Sequence, residues 1–441
     1  MSKLLLLGCI ADDFTGATDL ANNLVRSGMR VMQTMGVPTE PLPADANVDA
    51  VVVALKSRTL PPSEAVVQSL AALEWLQAQS PDPHGLQIYF KYCSTFDSVF
   101  TPAVQGNIGA VADALMEALG TDFTIATPAF PDNGRTVFKG HLFVGDVLLS
   151  ESGMQNHPLT PMTDSNLVRV LQAQTQKKVG LIDYKTVAAG DEAITAQIQR
   201  LRQQGVRMAV VDALSNQDLM RLGKALKGLP LVTAGSGVAI GLPQNFGIAS
   251  SNTSSQLPVP RGLQAIVSGS CSLASNAQVA HGIASGLPAL AIDPLAIVEK
   301  QTAGVDVVAE ALTWAKTNFE KLAGGQAASP ILIYATADAA SVKAVQAKLG
   351  VALAGEMVEQ TLSRIAVGLV ELGVRQLVVA GGETSGACVQ ALGLTQMQIG
   401  PQIDPGVPWC YVPSPMGLHL ALKSGNFGTE DFFSKAFEVL K

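Results

Sequence analysis

The sequence predicts two α/β domains, each a mostly parallel sheet flanked by helices, with an antiparallel hairpin inserted in the first. Three observations carry that expectation. Short apolar runs alternate with stretches of helical period from the start of the chain, the rhythm of βαβ units. At 441 residues the chain exceeds what one core comfortably holds. The rhythm breaks most clearly over residues 247–262, where Ser, Asn and Pro crowd together without a hydrophobic period, as in a linker. Residues 1–246 and 263–441 are therefore expected to be separate domains with a cleft between them.

The elements follow in order. The first apolar run, 4–10, stops at Asp12-Asp13, and a helical pattern over 16–27 begins at once. Thr15 is suited to cap that helix, and the Thr15-Gly16-Ala17 turn lets backbone approach a ligand closely. Runs at 49–55, 87–92, 122–127, 178–183, 207–212 and 229–234 read as further strands. Periodic stretches at 62–79, 106–119, 192–204 and 216–227 read as the helices between them. Residues 132–150 alternate like a hairpin and hold no helix. Past the linker, strands are expected at 263–267, 288–292, 330–335 and 375–380, with a long helix over 352–372. Met29, Met32 and Met35 read as core filler.

Composition narrows the function. With 48% hydrophobic residues, 15% charged residues and 41 glycines, the chain has the make-up of a well-buried α/β enzyme with many tight turns. A net charge of −7 argues against nucleic acid or an anionic membrane as main partner. No apolar run has the length of a membrane span, and the first residues lack the order of a signal peptide, so a cytoplasmic protein is expected. The five scattered cysteines form no C-x-x-C pair, so neither zinc nor a disulfide framework is indicated.

Candidate site residues gather at strand ends. Two adjacent carboxylates cannot both be buried unpaired, so Asp12 and Asp13 are expected at the mouth of a cleft, where open α/β sheets bind ligands. Basic residues recur at the same edge: Lys56, Arg58, Lys91, Arg135 and Lys139. Cations for a carboxylate and Asp oxygens for hydroxyls would together hold a small hydroxy acid. His141 and His157 flank the hairpin and read as packed or surface histidines.

Four glycine loops follow strands. Ala234 to Gly241 imitates a dinucleotide fingerprint, but no acidic residue lies between Asp218 and Asp293 to hold a ribose, which counts against a dehydrogenase. There is no G-x-x-x-x-G-K-[ST] either. Three loops in the second domain place small residues and free backbone N–H groups at strand ends: Ser268-Gly269-Ser270-Cys271-Ser272, Gly381-Gly382-Glu383-Thr384-Ser385-Gly386 and Lys423-Ser424-Gly425-Asn426-Phe427-Gly428. Together they suit a nucleotide.

Ala11 to Ala17, Lys56-Ser57-Arg58, Lys91 with Cys93-Ser94-Thr95-Phe96-Asp97-Ser98, Gly381 to Gly386 and Ile403-Asp404-Pro405-Gly406-Val407-Pro408 together resemble the four-carbon acid sugar kinases, over essentially the whole chain. The resemblance implies an N-terminal acid-sugar domain and a C-terminal domain for ATP, with Mg²⁺ on the phosphates. It implies transfer of a phosphoryl group to the terminal 4-hydroxyl of the acid. Asp97-Ser98 lacks the following Arg-Gly of threonate and erythronate kinases, which favours the branch acting on 3-oxo acids; D-threonate or D-erythronate is the alternative. On this reading Arg58, Lys91, Asp97, Ser98 and Arg135 join Asp12 in binding the acid, and Asp12 or Asp13 takes the proton. Ser268, Gly269, Ser270, Gly381, Gly382, Glu383, Thr384 and Gly425 meet the nucleotide, with Glu383 on Mg²⁺ or bracing its loop. A homodimer is compatible with the family. A non-catalytic binder of the acid would need neither the three loops nor a second domain.

Overall fold

The computed structural model describes residues 5–42, 47–101, 104–156, 160–250, 254–302, 304–323, 329–337, 344–348, 350–413 and 415–440. Leu4 at the head of the first apolar run and His157 lie outside them. The chain divides into two compact units between Ser255 and Gln256.

In the first unit the main strands are β1 (Leu7–Ala11), β2 (Val31–Met35), β3 (Ala50–Ala54), β4 (Gln87–Lys91), β7 (Thr124–Thr127), β11 (Lys178–Ile182), β12 (Val206–Val211) and β13 (Leu231–Ala234). They lie in the order β11-β12-β7-β13-β4-β1-β3-β2, and neighbours pair in parallel throughout. β1, β3, β4, β7 and β13 are buried at every position, as strands covered on both faces must be, and this is why they read as unbroken apolar runs. The ribbon β5 (Phe100–Thr101) and β6 (Val104–Gln105) is a small separate pair. The expected hairpin is a three-stranded antiparallel sheet, β8 (Arg135–Phe138), β9 (His141–Val144) and β10 (Val147–Leu148).

β2 escaped the sequence reading. Its buried positions include Gln33 and Thr34, while Met32 and Met35 are only half-buried. Of the three methionines taken as core filler, only Met29 is fully buried.

The second unit holds β14 (Leu263–Ser268), β15 (Ala289–Ala291), β16 (Ile331–Tyr334), β17 (Val374–Ala380), β18 (Gln396–Asp404), β19 (Val407–Val412) and β20 (Leu418–Lys423). β15, β16, β14, β17 and β20 run parallel, and β19 and β18 continue the sheet antiparallel. The helix Phe432–Val439 sets Phe432, Phe433, Ala436 and Phe437 against the fully buried Trp409, whose indole N–H donates to Ala436 O at 2.7 Å. Among the described residues no helix is long and apolar enough to cross a membrane.

Candidate active site

Helix α1 (Phe14–Arg26) starts two residues past β1, and Asp13 is its N-cap, accepting from Gly16 N at 3.1 Å. Thr15, the expected cap, instead donates to Asp13 Oδ2 at 2.8 Å. Asp12 is only 3% exposed, so the two carboxylates do not both stand open at a surface. Asp12 is buried because it is paired, and Asp13, half-buried beside it, shares the same cations. Arg58 Nε lies 3.1 Å from Asp12 Oδ2, and its Nη2 lies 2.6 Å from Asp13 Oδ1. Lys91, at the end of β4 and also 3% exposed, places Nζ 3.2 Å from Asp13 Oδ1 and 3.8 Å from Asp12 Oδ1. Two anions and two cations thus close a neutral quartet. Gly16 makes room for it: a Cβ there would stand 1.6 Å from Lys91 Nζ.

The two carboxyls differ electrostatically. Burial pushes both upward. In Asp13 the cations Arg58 and Lys91 and the Thr15 hydroxyl outweigh burial, and the carboxyl falls well below its ordinary range. In Asp12 burial wins over the same two cations, and the carboxyl is raised. Lys91 loses to burial but gains more from Asp13 and Asp12, so it stays charged.

Asp97 and Ser98 stand just behind. Asp97 accepts from Thr95 Oγ1 at 2.5 Å and Thr160 Oγ1 at 2.8 Å; burial works against its charge, but Arg58 and these hydroxyls hold the carboxyl below its usual range. Ser98 Oγ accepts from Asn107 N at 3.0 Å. Arg135 is a different case. Its Nε is buried without a partner, its Nη1 donates to Asn133 O, and among the described residues no carboxylate pairs with it. Burial lowers its pKa, and Cys93 and Asp19 are near enough for their charge to oppose that. Lys56 and Lys139 are exposed and stand outside this group, Lys139 lying over the Phe138 ring. His141 shares hydrogen bonds with Lys139 O and Asn166.

Two residues were missed. Asn107 sends Nδ2 to the carbonyls of Ser57, Arg58 and Leu60 at 3.0–3.2 Å, which fixes the loop carrying Arg58. Asp19, on α1, accepts from Ser236 Oγ and leaves Oδ1 buried and unpaired; burial raises its carboxyl to about 7, against the pull of Lys91. The signal for Asp19 was a polar stripe, Asp19, Asn22 and Asn23, on a helix face that should bury. Ser236 belongs to the glycine loop that imitates a dinucleotide fingerprint. That loop is a largely buried 3-10 turn, Ser236–Gly241, held against α1 by Asn23 Nδ2, which donates to Ser236 O at 3.0 Å.

In the second unit the three glycine loops meet at the carboxyl ends of the adjacent strands β14, β17 and β20. Gly381 N donates to Lys423 O at 2.8 Å, and Gly269 N to Ala380 O at 2.9 Å. Ser272 Oγ and Ser275 Oγ both donate to Gly425 O, at 2.5 and 3.0 Å. Gly381, with φ of 127°, bends the chain into the helix Gly382–Ala391, a turn that other residues rarely adopt. That leaves the N–H groups of the first helical turn, at Gly382, Glu383 and Thr384, without helical acceptors. Gly382 and Glu383 are exposed, Gly269, Ser270 and Gly425 half-exposed, and Thr384 buried. Ser268 is fully buried and shares its hydroxyl with Thr336 at 2.7 Å, so only its backbone is at the loop. Among the described residues no three His, Cys, Asp or Glu side chains cluster as a metal cage.

Residues 7–242 match the sugar-binding N-terminal domain family, and residues 265–433 the nucleotide-binding C-terminal domain family. The 3-oxo-tetronate kinase of Burkholderia multivorans is 58% identical over 99% of this chain and 97% of its own. That of Pseudomonas savastanoi pv. phaseolicola is 55% identical with the same coverage. A crystal structure from Salmonella typhimurium LT2 superposes with a TM-score of 0.85 at 44% identity, covering 98% of this chain and 99% of that one. Another, from Haemophilus influenzae, gives 0.78 at 43% identity, covering 98% and 100%.

Proposed function

This chain belongs to the four-carbon acid sugar kinase family, and on that premise we propose that it transfers the γ-phosphoryl group of ATP to the 4-hydroxyl of 3-oxo-tetronate. The observation that carries the substrate is the full-length identity, 55–58%, to several 3-oxo-tetronate kinases. In the reaction the 4-hydroxyl oxygen forms a bond to the γ-phosphorus, the bond to the β,γ-bridging oxygen breaks, and ADP and the 4-phosphate result.

Asp12 takes the hydroxyl proton. Its raised carboxyl holds a proton better than Asp13, whose charge is fixed by Arg58, Lys91 and the α1 cap. Asp13 keeps Lys91 and Arg58 in place. Arg135 receives the substrate carboxylate, since its buried Nε lacks a partner and a guanidinium fork suits a carboxylate. Arg58, partly exposed, lends a second cation. Lys91 is almost wholly buried against the Asp pair and acts through it.

ATP phosphates rest on the backbone N–H groups of residues 270, 382–384 and 425, with Gly269, whose N–H donates to Ala380 O, shaping the turn. The chemistry of the donor set suits Mg²⁺ delivered on the phosphates: Glu383 is the one acidic side chain in the three loops, and Mg²⁺ commonly takes few protein ligands. Glu383 would hold it, and the ion would neutralise phosphate charge.

The test is ADP release from Mg-ATP with 3-oxo-tetronate, D-threonate, L-threonate and D-erythronate. Turnover with the oxo acid is expected. Turnover with a reduced acid alone would move the substrate to another branch, and silence across all four would overturn the reading.

A further inference from the structure

Lys423 ends β20 and is completely buried, yet among the described residues no carboxylate pairs with it. Its Nζ instead faces four oxygens: Ser275 Oγ at 3.2 Å and the carbonyls of Ser424, Gly425 and Phe427 at 3.0, 3.0 and 3.1 Å. The Phe432 ring completes the enclosure, with Nζ over it at 6.0 Å from the centroid. Four acceptors around one nitrogen suit an ammonium, which has donors only. Burial pulls its pKa down to about 7.

The consequence lies in the loop. Besides Lys423, the hydroxyls of Ser272 and Ser275 draw Gly425 O inward, and Gln278 Nε2 draws in the carbonyls of Phe427, Gly428 and Thr429 at 3.0–3.1 Å. Asp404 pins the far end, accepting from Thr429 N at 2.8 Å. In a planar trans peptide the C=O and the next N–H point opposite ways. Turning the carbonyls of 424, 425 and 427 inward therefore turns the N–H groups of Gly425, Asn426 and Gly428 outward. Successive outward N–H groups make a concavity for an anion.

We propose that Lys423 is a positioning residue for ATP: it gathers the carbonyls of the 424–427 loop and so presents that loop's N–H groups to the phosphates, without touching them itself. This rests on the reading of the 425 loop as part of the nucleotide site.

The experiment compares the full-length wild type with Lys423→Met and Gly425→Val. It measures KM for ATP and for the acid, and inhibition by ADP and by adenosine. Lys423→Met is expected to raise the KM for ATP at least tenfold and weaken ADP inhibition equally. Adenosine inhibition and the KM for the acid should stay within twofold, a split that general loosening of the fold would not produce. If Gly425→Val raises the KM for ATP while Lys423→Met leaves it within twofold, the role of Lys423 is overturned and the site stands. If neither variant raises it, the site reading fails and takes the proposal with it. Should Lys423→Met give no cooperative melt, Ser275→Ala is read in its place. That variant removes one acceptor of the ammonium and one donor to Gly425 O, and an unchanged KM for ATP would again overturn the proposal.

Discussion

Adjacent carboxylates, one residue apart, carry opposite burdens. Asp13 is held ionised by Arg58, Lys91 and Thr15, whereas Asp12 is raised by burial despite the same cations. Asp12→Asn keeps the shape and removes the proton acceptor, so kcat should fall by about 10²–10⁴-fold with a native circular dichroism spectrum. Ordinary turnover in that variant would take Asp12 out of the reaction. Asp19 yields a prediction about stability. Its carboxyl, ordinarily near 4, is raised to about 7 in the folded chain. Between those values the folded state binds a proton that the unfolded state has lost, so stability declines as pH rises through that window and levels off above it. The slope is about 1.4 kcal/mol per pH unit at most. Asp19→Asn carries no titrating group there. The stability gap between variant and wild type in urea unfolding should therefore grow in favour of the variant from pH 4 to 7 and stay constant above. A gap independent of pH would refute the raised carboxyl.

At the scale of elements, the β1–α1 corner was legible because an apolar run stopping on Asp12-Asp13 before a helical period has few other meanings. The pairing was not. Arg58 and Lys91 lie 46 and 78 positions from the Asp partners they bond, and sequence spacing says nothing about which strand ends become neighbours. β2 was hidden by Gln33 and Thr34, polar residues buried in the middle of the strand. β18 was hidden by Gly400 and Pro401, which fall at the register shift between Ile399 and Gln402. The antiparallel extension of the second sheet went with it. Asn107, at the start of the stretch 106–119 that reads as a helix, has no role legible in the sequence, since a contact to three carbonyls 47–50 residues away leaves no local pattern. It now predicts an effect. Asn107→Ala should leave buried carbonyls unpaired at a cost of about 1–3 kcal/mol. Because one of those carbonyls belongs to Arg58, the KM for the acid should rise several-fold while the KM for ATP holds. Equal changes in both would make Asn107 merely a structural residue.

Across the whole molecule, the residues assigned to the acid all precede Ser255, and the loops assigned to the nucleotide all follow Gln256, the division between the compact units. Two families matched separately over residues 7–242 and 265–433 fall on the same sides. If the division of labour is real, each ligand should stabilise its own set of peptides first. A ligand at one hundred times its Kd adds about 2.7 kcal/mol to the state that binds it, or about 100-fold slower exchange where that opening governs exchange. The acid alone should give its strongest hydrogen-exchange protection at residues 11–16, 56–58 and 91–98. ADP should give its strongest at 268–275, 381–386 and 423–429. The β8–β9 hairpin separates the two versions of carboxylate binding. Arg135 opens β8, so protection at 133–137 with the acid supports Arg135 as the carboxylate's partner. Protection confined to 56–58 would give that role to Arg58, which must then loosen one of its bonds to Asp12 or Asp13 when the acid arrives. Acid protection in the glycine loops without protection at Asp12 would place the acid in the wrong unit and reject the assignment of the quartet altogether.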